Sequence, residues 1–114
     1  MALIRTGGST AKPYAYAMTN SNQQVVVPIV NNEISLSNVT YVELVVGNIK
    51  SISGTLLNPS GSLAKSISYY KEDGTGSHDS TWTTGDKNIS GTCSLFVMSS
   101  TQGGAITGGT LTIT

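Results

Sequence analysis

Apolar side chains recur at every second position along most of the chain. The clearest alternating sets are Tyr14, Tyr16 and Met18; Val25, Val27 and Ile29; Ile34 and Leu36; and Leu111 and Ile113. Successive side chains of a β-strand point to opposite faces of its sheet, so these segments are predicted to be strands. No long segment has apolar residues at helical spacing, and little or no helix is expected. We expect Tyr14 and Tyr16, which share one side of their strand, to face the core.

The segment from Tyr41 to Val46 is apolar on both sides apart from Glu43, which predicts a strand in the middle of the core. Gly47-Asn48 follows it and tolerates positive φ, as tight hairpins require, so a hairpin from Val42 to Ile52 is expected. Pro28 lacks a backbone donor, and its strand is therefore expected at a sheet edge or at a bulge.

Further turn and strand signals extend to the C-terminal end of the sequence. Asn31-Asn32 and Asn58-Pro59-Ser60-Gly61 are typical of turns. Leu63, Ile67 and Tyr69 share one side of a strand with Lys65, which indicates either a bulge or an open end beside that lysine. Cys93, Leu95 and Val97 are expected to point to one side of a later strand, with Cys93 buried in the core. The strand 110–114 is predicted to pair inside a sheet or to dock on a neighbour.

Seven to nine short strands separated by turn residues are typical of an all-β fold, either an antiparallel β-sandwich or a small jelly roll. Parallel α/β folds are excluded because they require crossover helices. At 114 residues, the chain is predicted to form a single domain over residues 1–114.

Charge is scarce in this sequence and limits the classes of partner. Charged residues make up 11% of the chain, against about 25% in an ordinary soluble domain, and six basic and six acidic residues give zero net charge. The basic residues are scattered singly: Arg5, Lys12, Lys50, Lys65, Lys71 and Lys87. Nucleic acid and anionic lipid both require clustered basic residues, so neither is an expected partner. No signal peptide or transmembrane segment is recognisable, and membrane insertion is not expected.

The polar stretch 72–88 is predicted to be the longest loop and the first place to search for chemistry, because it contains the only His and the only Trp. Asp73, Thr75, Ser77 and Asp79 offer oxygens at every second position, but the spacing of an EF-hand is missing, so no metal site is predicted. Ser77-His78-Asp79 has the residue types of a hydrolase triad. Consecutive side chains in an extended strand cannot line up as a triad, so no catalytic residue is predicted. No cofactor motif is present either.

Aromatic residues around the same stretch offer a binding site of another kind. Trp82, with Tyr69 and Tyr70 on the neighbouring strand, would form a platform for a sugar or peptide ligand. The alternative is that Trp82 covers one end of the core, which is the more common position for a tryptophan.

These observations favour a non-enzymatic structural protein that assembles through its β surfaces. The ion-poor surface is typical of interface cores, and we expect a homo-oligomer or a component of a larger viral particle. Such a protein would be a bacteriophage-type capsid-decoration, capsid or tail component, located in the virion after assembly in the host cytoplasm. The alternative function is a carbohydrate- or ligand-binding β-sandwich module that uses Trp82 and the nearby tyrosines.

Overall fold

The computed structural model describes residues 13–19, 21–58, 65–71, 73–82, 85–100 and 106–114, with only the backbone described at 48 and 78–82. Within these residues the chain forms eight strands and no helix, which confirms the predicted all-β antiparallel fold. The strands are β1 (Tyr14–Thr19), β2 (Gln24–Val27), β3 (Glu33–Leu36), β4 (Val39–Leu57), β5 (Lys65–Tyr70), β6 (Gly76–Trp82), β7 (Lys87–Ser100) and β8 (Gly108–Ile113). Not all of them are short, because β4 has 19 residues and β7 has 14.

The strands form one antiparallel sheet that is nearly closed into a barrel-like shape. The long strands β4 and β7 each run through both of its two parts, which we call the larger sheet and the smaller sheet. The larger sheet has the order β2-β1-β4-β7-β5-β6, and it uses the first half of β4 and the second half of β7. In the smaller sheet, β8 lies between β3 and the second half of β4, which also pairs with the first half of β7. All of these pairings are antiparallel. The main core cluster contains residues from both parts of this sheet.

β4 passes from one sheet to the other through an irregular segment. The register between β4 and β7 shifts between Val45 and Lys50, where Gly47 has a φ of 66° and Ile49 a φ of 34°. The Ile49 amide donates a hydrogen bond of 3.3 Å to Ser94 Oγ on β7. The predicted hairpin at Gly47-Asn48 is therefore wrong. The positive φ produces a bulge instead, because β4 pairs with β7 on both sides of it.

This irregularity also changes which side of β7 faces the core. Cys93 is buried in the core, as predicted, but the core residues that follow it are Phe96 and Met98. Leu95 and Val97 lie on the other face of the larger sheet, where they pair with Val45 and Glu43 of β4. The expectation that Cys93, Leu95 and Val97 share one side is wrong.

The core side of β1 is formed by alanine rather than tyrosine. Ala15 and Ala17 are buried, whereas Tyr14 is exposed and Tyr16 half-buried on the opposite face. The expectation that the tyrosines face the core is therefore wrong. Alternation fixes only that Tyr14 and Tyr16 share a face, and the small alanines are the residues that fit against the core.

Other turn predictions are confirmed within the described residues. Val30 and Glu33 exchange two backbone hydrogen bonds of 2.9 and 3.0 Å around Asn31 and Asn32, whose φ values of 53° and 62° fit a type I′ turn. Pro28 directly follows β2, an edge strand. The turn predicted at 58–61 lies outside the described residues beyond Asn58, as does Leu63.

The stretch 72–88 is not one long loop, because β6 lies inside it and pairs with β5. The two strands are joined by a tight turn in which the Lys71 amide donates to the Thr75 carbonyl at 2.7 Å and Gly74 has a φ of 88°. β6 is polar throughout except for Trp82, so it lacks the alternating pattern that reveals the other strands. Lys65 is buried, and the register against β6 shifts between Lys65 and Ile67 with the extra residue on β6, whereas β5 itself pairs regularly with β7. The bulge expected in the strand of Lys65 therefore lies in its partner strand.

β8, which contains Leu111, is paired on both sides, by β3 and by β4. This confirms the prediction that the strand 110–114 lies inside a sheet. Among the described residues, no helix is long and apolar enough to cross a lipid bilayer.

Candidate functional site: an aromatic face on the larger sheet

The outer face of the larger sheet, opposite the core, has unusual side chains. We define the tyrosine face as Tyr14, Tyr16, Met18, Val26 and Tyr41, which lie on β1, β2 and the start of β4. Val26 is 79% exposed and Tyr14 is 49% exposed. The other three side chains are partly exposed. These residues share a face because each pairs with, or lies two positions from, another member of the set.

One buried carboxylate lies beneath this face. Glu43 of β4 is directly opposite Tyr16 of β1 and two residues after Tyr41, so all three side chains lie on the same side of the sheet. Glu43 Oε1 accepts hydrogen bonds from the Tyr16 hydroxyl at 2.8 Å and from the Tyr41 hydroxyl at 2.7 Å. The two tyrosine rings are 6.1 Å apart. Glu43 is only 6% exposed, so these hydroxyls replace much of its contact with water.

The tyrosines of this cluster are held in their protonated form. Burial, followed by the hydrogen bond to Glu43, raises the pKa of Tyr16 to about 12. The same two causes raise the pKa of Tyr41 well above its ordinary value. Both hydroxyls therefore remain donors at neutral pH and are not activated as nucleophiles. The cluster presents aromatic rings to the surface and keeps its charge beneath them.

A row of apolar residues extends the same face across the sheet. Tyr14 pairs with Val45, Val45 with Leu95, and Leu95 with Tyr70. Val45 and Leu95 are both buried, Leu95 to 1% exposure, although they lie on the outer face and do not belong to the main core cluster. Apolar packing on this sheet is therefore two-sided.

A shallow groove of about 450 Å³ crosses the tyrosine face and is lined by Tyr16, Met18, Gln24 and Tyr41. Its walls are aromatic and aliphatic, with one amide at the rim. Such a groove can accept an apolar side chain or the face of a ring.

The residues predicted from the sequence as a ligand site do not lie on one surface. Tyr69 faces the core, where its ring packs 5.5 Å from that of Phe96 and against Gly91. Tyr70, the next residue, lies on the outer face beside Leu95. The Trp82 backbone pairs with Lys65, and its side chain lies outside the described residues, so its role stays a prediction.

Asp73, the first of the alternating oxygen-bearing residues for which no metal site is predicted, has a local structural role. Asp73 Oδ1 accepts hydrogen bonds from the Thr75 amide at 2.9 Å and from the Thr75 hydroxyl at 2.6 Å. These bonds lower the pKa of Asp73 and stabilise the turn between β5 and β6. No three His, Cys, Asp or Glu side chains in the described part of the chain are grouped closely enough to hold a metal ion.

Sequence reasoning did not find the tyrosine face, although one signal for it was present. Glu43 is the only charge in the apolar strand from Tyr41 to Val46, and a tyrosine stands two positions before it. A carboxylate in a buried strand requires donors on its own face, so Tyr41 was a foreseeable partner.

No family model matches this chain, and no curated protein is significantly similar to it in sequence. The inference of function therefore rests on the residues and geometry described above.

Proposed function

We propose that this protein is a non-enzymatic structural module that assembles with copies of itself through the tyrosine face. Its setting would be a virion of the bacteriophage type, as a capsid-decoration, capsid or tail component. The observation that supports this proposal is the difference between the outer faces of the two sheets.

The smaller sheet has an ordinary solvated outer face. Its exposed strand positions are mostly polar: Ser35, Ser51, Ser53, Ser90, Thr92 and Thr110 carry hydroxyls, Asn88 an amide, and Glu33 and Lys50 charges, with Leu57 as the apolar exception. The larger sheet instead presents three tyrosines, a methionine and a valine. Aromatic residues and Met are enriched in protein interfaces and charges are depleted from their cores, so the tyrosine face has the composition of an interface.

The state of Glu43 supports the same proposal. A carboxylate at an interface opposes association when it loses water without gaining partners. Here Tyr16 and Tyr41 already provide two hydrogen bonds within the single chain. A partner covering this face would not have to supply the donors for that oxygen.

The test is the solution mass of the protein, measured by light scattering after size exclusion at several concentrations and salt strengths. We expect a defined oligomer whose mass does not change with salt, because the contacts are uncharged. Tyr14→Lys, which places a charge on the tyrosine face, should dissociate it. Thr92→Lys, at an exposed strand position of the smaller sheet, is the matched control and should not.

A monomer at every concentration would contradict self-assembly, as would an oligomer that both lysine variants disrupt equally. Electron microscopy of the oligomer tests the virion setting. Rings or shells with a fixed number of copies are expected, and irregular aggregates would contradict it.

A carbohydrate-binding module is the second candidate function, and the groove between Tyr16 and Tyr41 favours it, because sugar rings stack on aromatic faces. A glycan array with the wild type, Met18→Ala, which changes a residue of the groove, and Trp82→Ala tests this candidate. Binding that is lost in one of these variants while the protein stays folded would support it, and the absence of binding to any glycan would eliminate it.

A further inference from the structure

Among the strands that the structure describes, β2 is the outermost of the larger sheet, and its turn to β1 determines which backbone groups point outwards. The Thr19 amide donates a 2.9 Å hydrogen bond to the Gln23 carbonyl, which makes these two residues a hydrogen-bonded pair. Hydrogen-bonded and non-hydrogen-bonded pairs alternate along antiparallel strands. Val25 and Val27 therefore direct their amides and carbonyls towards β1, whereas those of Gln24 and Val26 point away from the sheet.

The side chains of this edge are exposed and uncharged. Val26 is 79% exposed and Val25 is 39% exposed, and residues 13–32 include no Asp, Glu, Lys or Arg. Proteins commonly protect sheet edges with charged residues, because an open apolar edge pairs with other strands. β6, the strand at the opposite end of this sheet, contains Asp79, whereas β2 has no charged residue.

We propose that β2 pairs antiparallel with β2 of a second copy about a twofold axis, so that the two larger sheets become one continuous sheet. This inference rests on the proposed function, because it identifies one surface and one partner for the assembly. The partner is a second copy because the outward backbone groups of β2 can form hydrogen bonds with the same groups of another β2. The valines can pair with valines, and no charge on this edge repels a second copy.

The pairing register follows from the outward backbone groups. With the twofold axis at Val26, the two Val26 residues face each other and exchange two N–H···O=C bonds. The next hydrogen-bonded pair lies two residues along, where each Gln24 amide meets the Pro28 carbonyl of the second copy. Pro28 has no N–H to donate, so the ladder ends there.

The side chains favour this register over one centred on Val25. Centring on Val26 places Val26 against Val26 on the outer face and Val25 against Val27 on the core side, so that every valine has a valine partner. Centring on Val25 would place Val26 against Gln24. The axis at Val26 also brings the two tyrosine faces side by side on one surface, with no like charges opposed along residues 13–32.

The first test removes the outward donor without removing a bond between β1 and β2. Val26→Pro deletes the Val26 amide, and it leaves the β1 bonds of Val25 and Val27 in place. Losing one donor from each copy is expected to raise the dimer Kd roughly 30-fold. Val26→Thr keeps the amide and the β-branched shape, so its Kd should stay within roughly threefold of the wild type.

The second test determines the pairing register from which cysteine variant forms a disulfide between two copies. The Cα atoms of a hydrogen-bonded antiparallel pair are about 5.5 Å apart, within the range that a disulfide spans. Val26→Cys should therefore form a covalent dimer under mild oxidation, whereas Val25→Cys should not. The native Cys93 is buried and does not compete. Cross-linking by Val25→Cys instead of Val26→Cys would overturn the proposed register.

The outcomes separate this inference from the proposed function. A wild-type oligomer that Tyr14→Lys dissociates but that folded Val26→Pro leaves intact would overturn the β2 pairing and retain assembly through the tyrosine face. A wild-type protein that is monomeric at every concentration would overturn both. Circular dichroism establishes whether each variant is folded. If Val26→Pro does not fold, cross-linking of Val26→Cys and Val25→Cys tests the β2 pairing instead.

Discussion

Glu43 shows how a charged side chain is accommodated in a buried strand of this protein. A carboxylate loses hydration when it is buried and requires hydrogen-bond donors in exchange. Tyr16 approaches from the neighbouring strand and Tyr41 from two positions earlier on the same strand, and both donate to the same oxygen. The cluster thus connects β1 to β4 through side chains as well as through the backbone ladder.

Tyr41→Phe is expected to destabilise the protein, because it removes one charge-assisted hydrogen bond from a buried carboxylate. The free energy of unfolding should fall by about 1.5–3 kcal/mol, measured by urea denaturation at neutral pH. Tyr14→Phe is the matched control, since Tyr14 is half-exposed on the same face. It should change the free energy by less than about 0.5 kcal/mol. Equal losses in the two variants would contradict the role given to the cluster.

The same two tyrosines predict a loss of stability at alkaline pH. The pKa of Tyr16 is raised from 10.0 to about 12 on folding, and that of Tyr41 is raised further. Between the unfolded and folded pKa values the folded state binds more protons, so the free energy of unfolding falls as the pH rises above 10. Below pH 10 this contribution is complete. Denaturation at pH 9.5, 10.5 and 11.5 measures the decline.

Lys65 changes the stability in the opposite direction over the same pH range, so the tyrosine effect has to be measured as a difference between two proteins. Burial lowers its pKa below the ordinary value of 10.5. The unfolded state therefore binds more protons just below pH 10.5, and this lysine makes stability rise with pH there. The double variant Tyr16→Phe/Tyr41→Phe retains Lys65 and should lose less stability above pH 10.5 than the wild type. Parallel curves for the two proteins would refute the tyrosine effect.

At the level of elements, close backbone contacts position β4 against β8. Gly54 has a φ of 149°, and a Cβ added there would collide with the Thr110 carbonyl. Gly109, with a φ of 148°, would place a Cβ 2.5 Å from the Thr55 carbonyl. Each strand therefore contributes one glycine where the other approaches, and both positions require glycine for space and for conformation.

Gly54→Ala is expected to lower the free energy of unfolding by about 3 kcal/mol or more, because strain and a backbone collision add. Gly85→Ala separates the two causes, since Gly85 also has a positive φ, 86°, but nothing lies within 4 Å of an added Cβ. That control should lose about 1 kcal/mol from conformation alone. Thermal and urea unfolding of the two variants makes the comparison, and equal losses would show that the collision has no effect.

Sequence patterns predicted the strands wherever one face is apolar, as with Ile34 and Leu36, and they failed where that condition is absent. β6 is polar on both sides until Trp82, so it was interpreted as loop. Alternation also does not show which face of a strand meets the core. For this reason Tyr14 and Tyr16 were predicted to face the core, whereas Ala15 and Ala17 do. The bend in β4 was mistaken for a hairpin because positive φ at Gly47 serves either structure. Only the pairing with β7 decides between them.

For the whole molecule, the two sheets divide the surface into unlike halves. The smaller sheet presents mostly hydroxyl, amide and charged side chains to water, whereas the larger sheet presents the tyrosine face and ends in the uncharged β2 edge. The sequence predicted a surface poor in charge, but it could not place the aromatic residues on one side of the molecule. That placement depends on which strands pair, since Tyr16 meets Glu43 only because β1 lies beside β4.

Association through β2 also predicts that thermal stability depends on protein concentration. A partner that binds only the folded state raises the free energy of unfolding by mass action. The wild-type Tm should therefore rise by roughly 3 °C for each tenfold increase in concentration above the dimer Kd. Val26→Pro should show a Tm that begins to rise only at roughly 30-fold higher concentration, because its Kd is raised by that factor, whereas Val26→Thr should follow the wild type. Scanning calorimetry over two decades of concentration measures the Tm of all three proteins. A wild-type Tm that does not change with concentration would contradict the pairing, because folding would then not be linked to association.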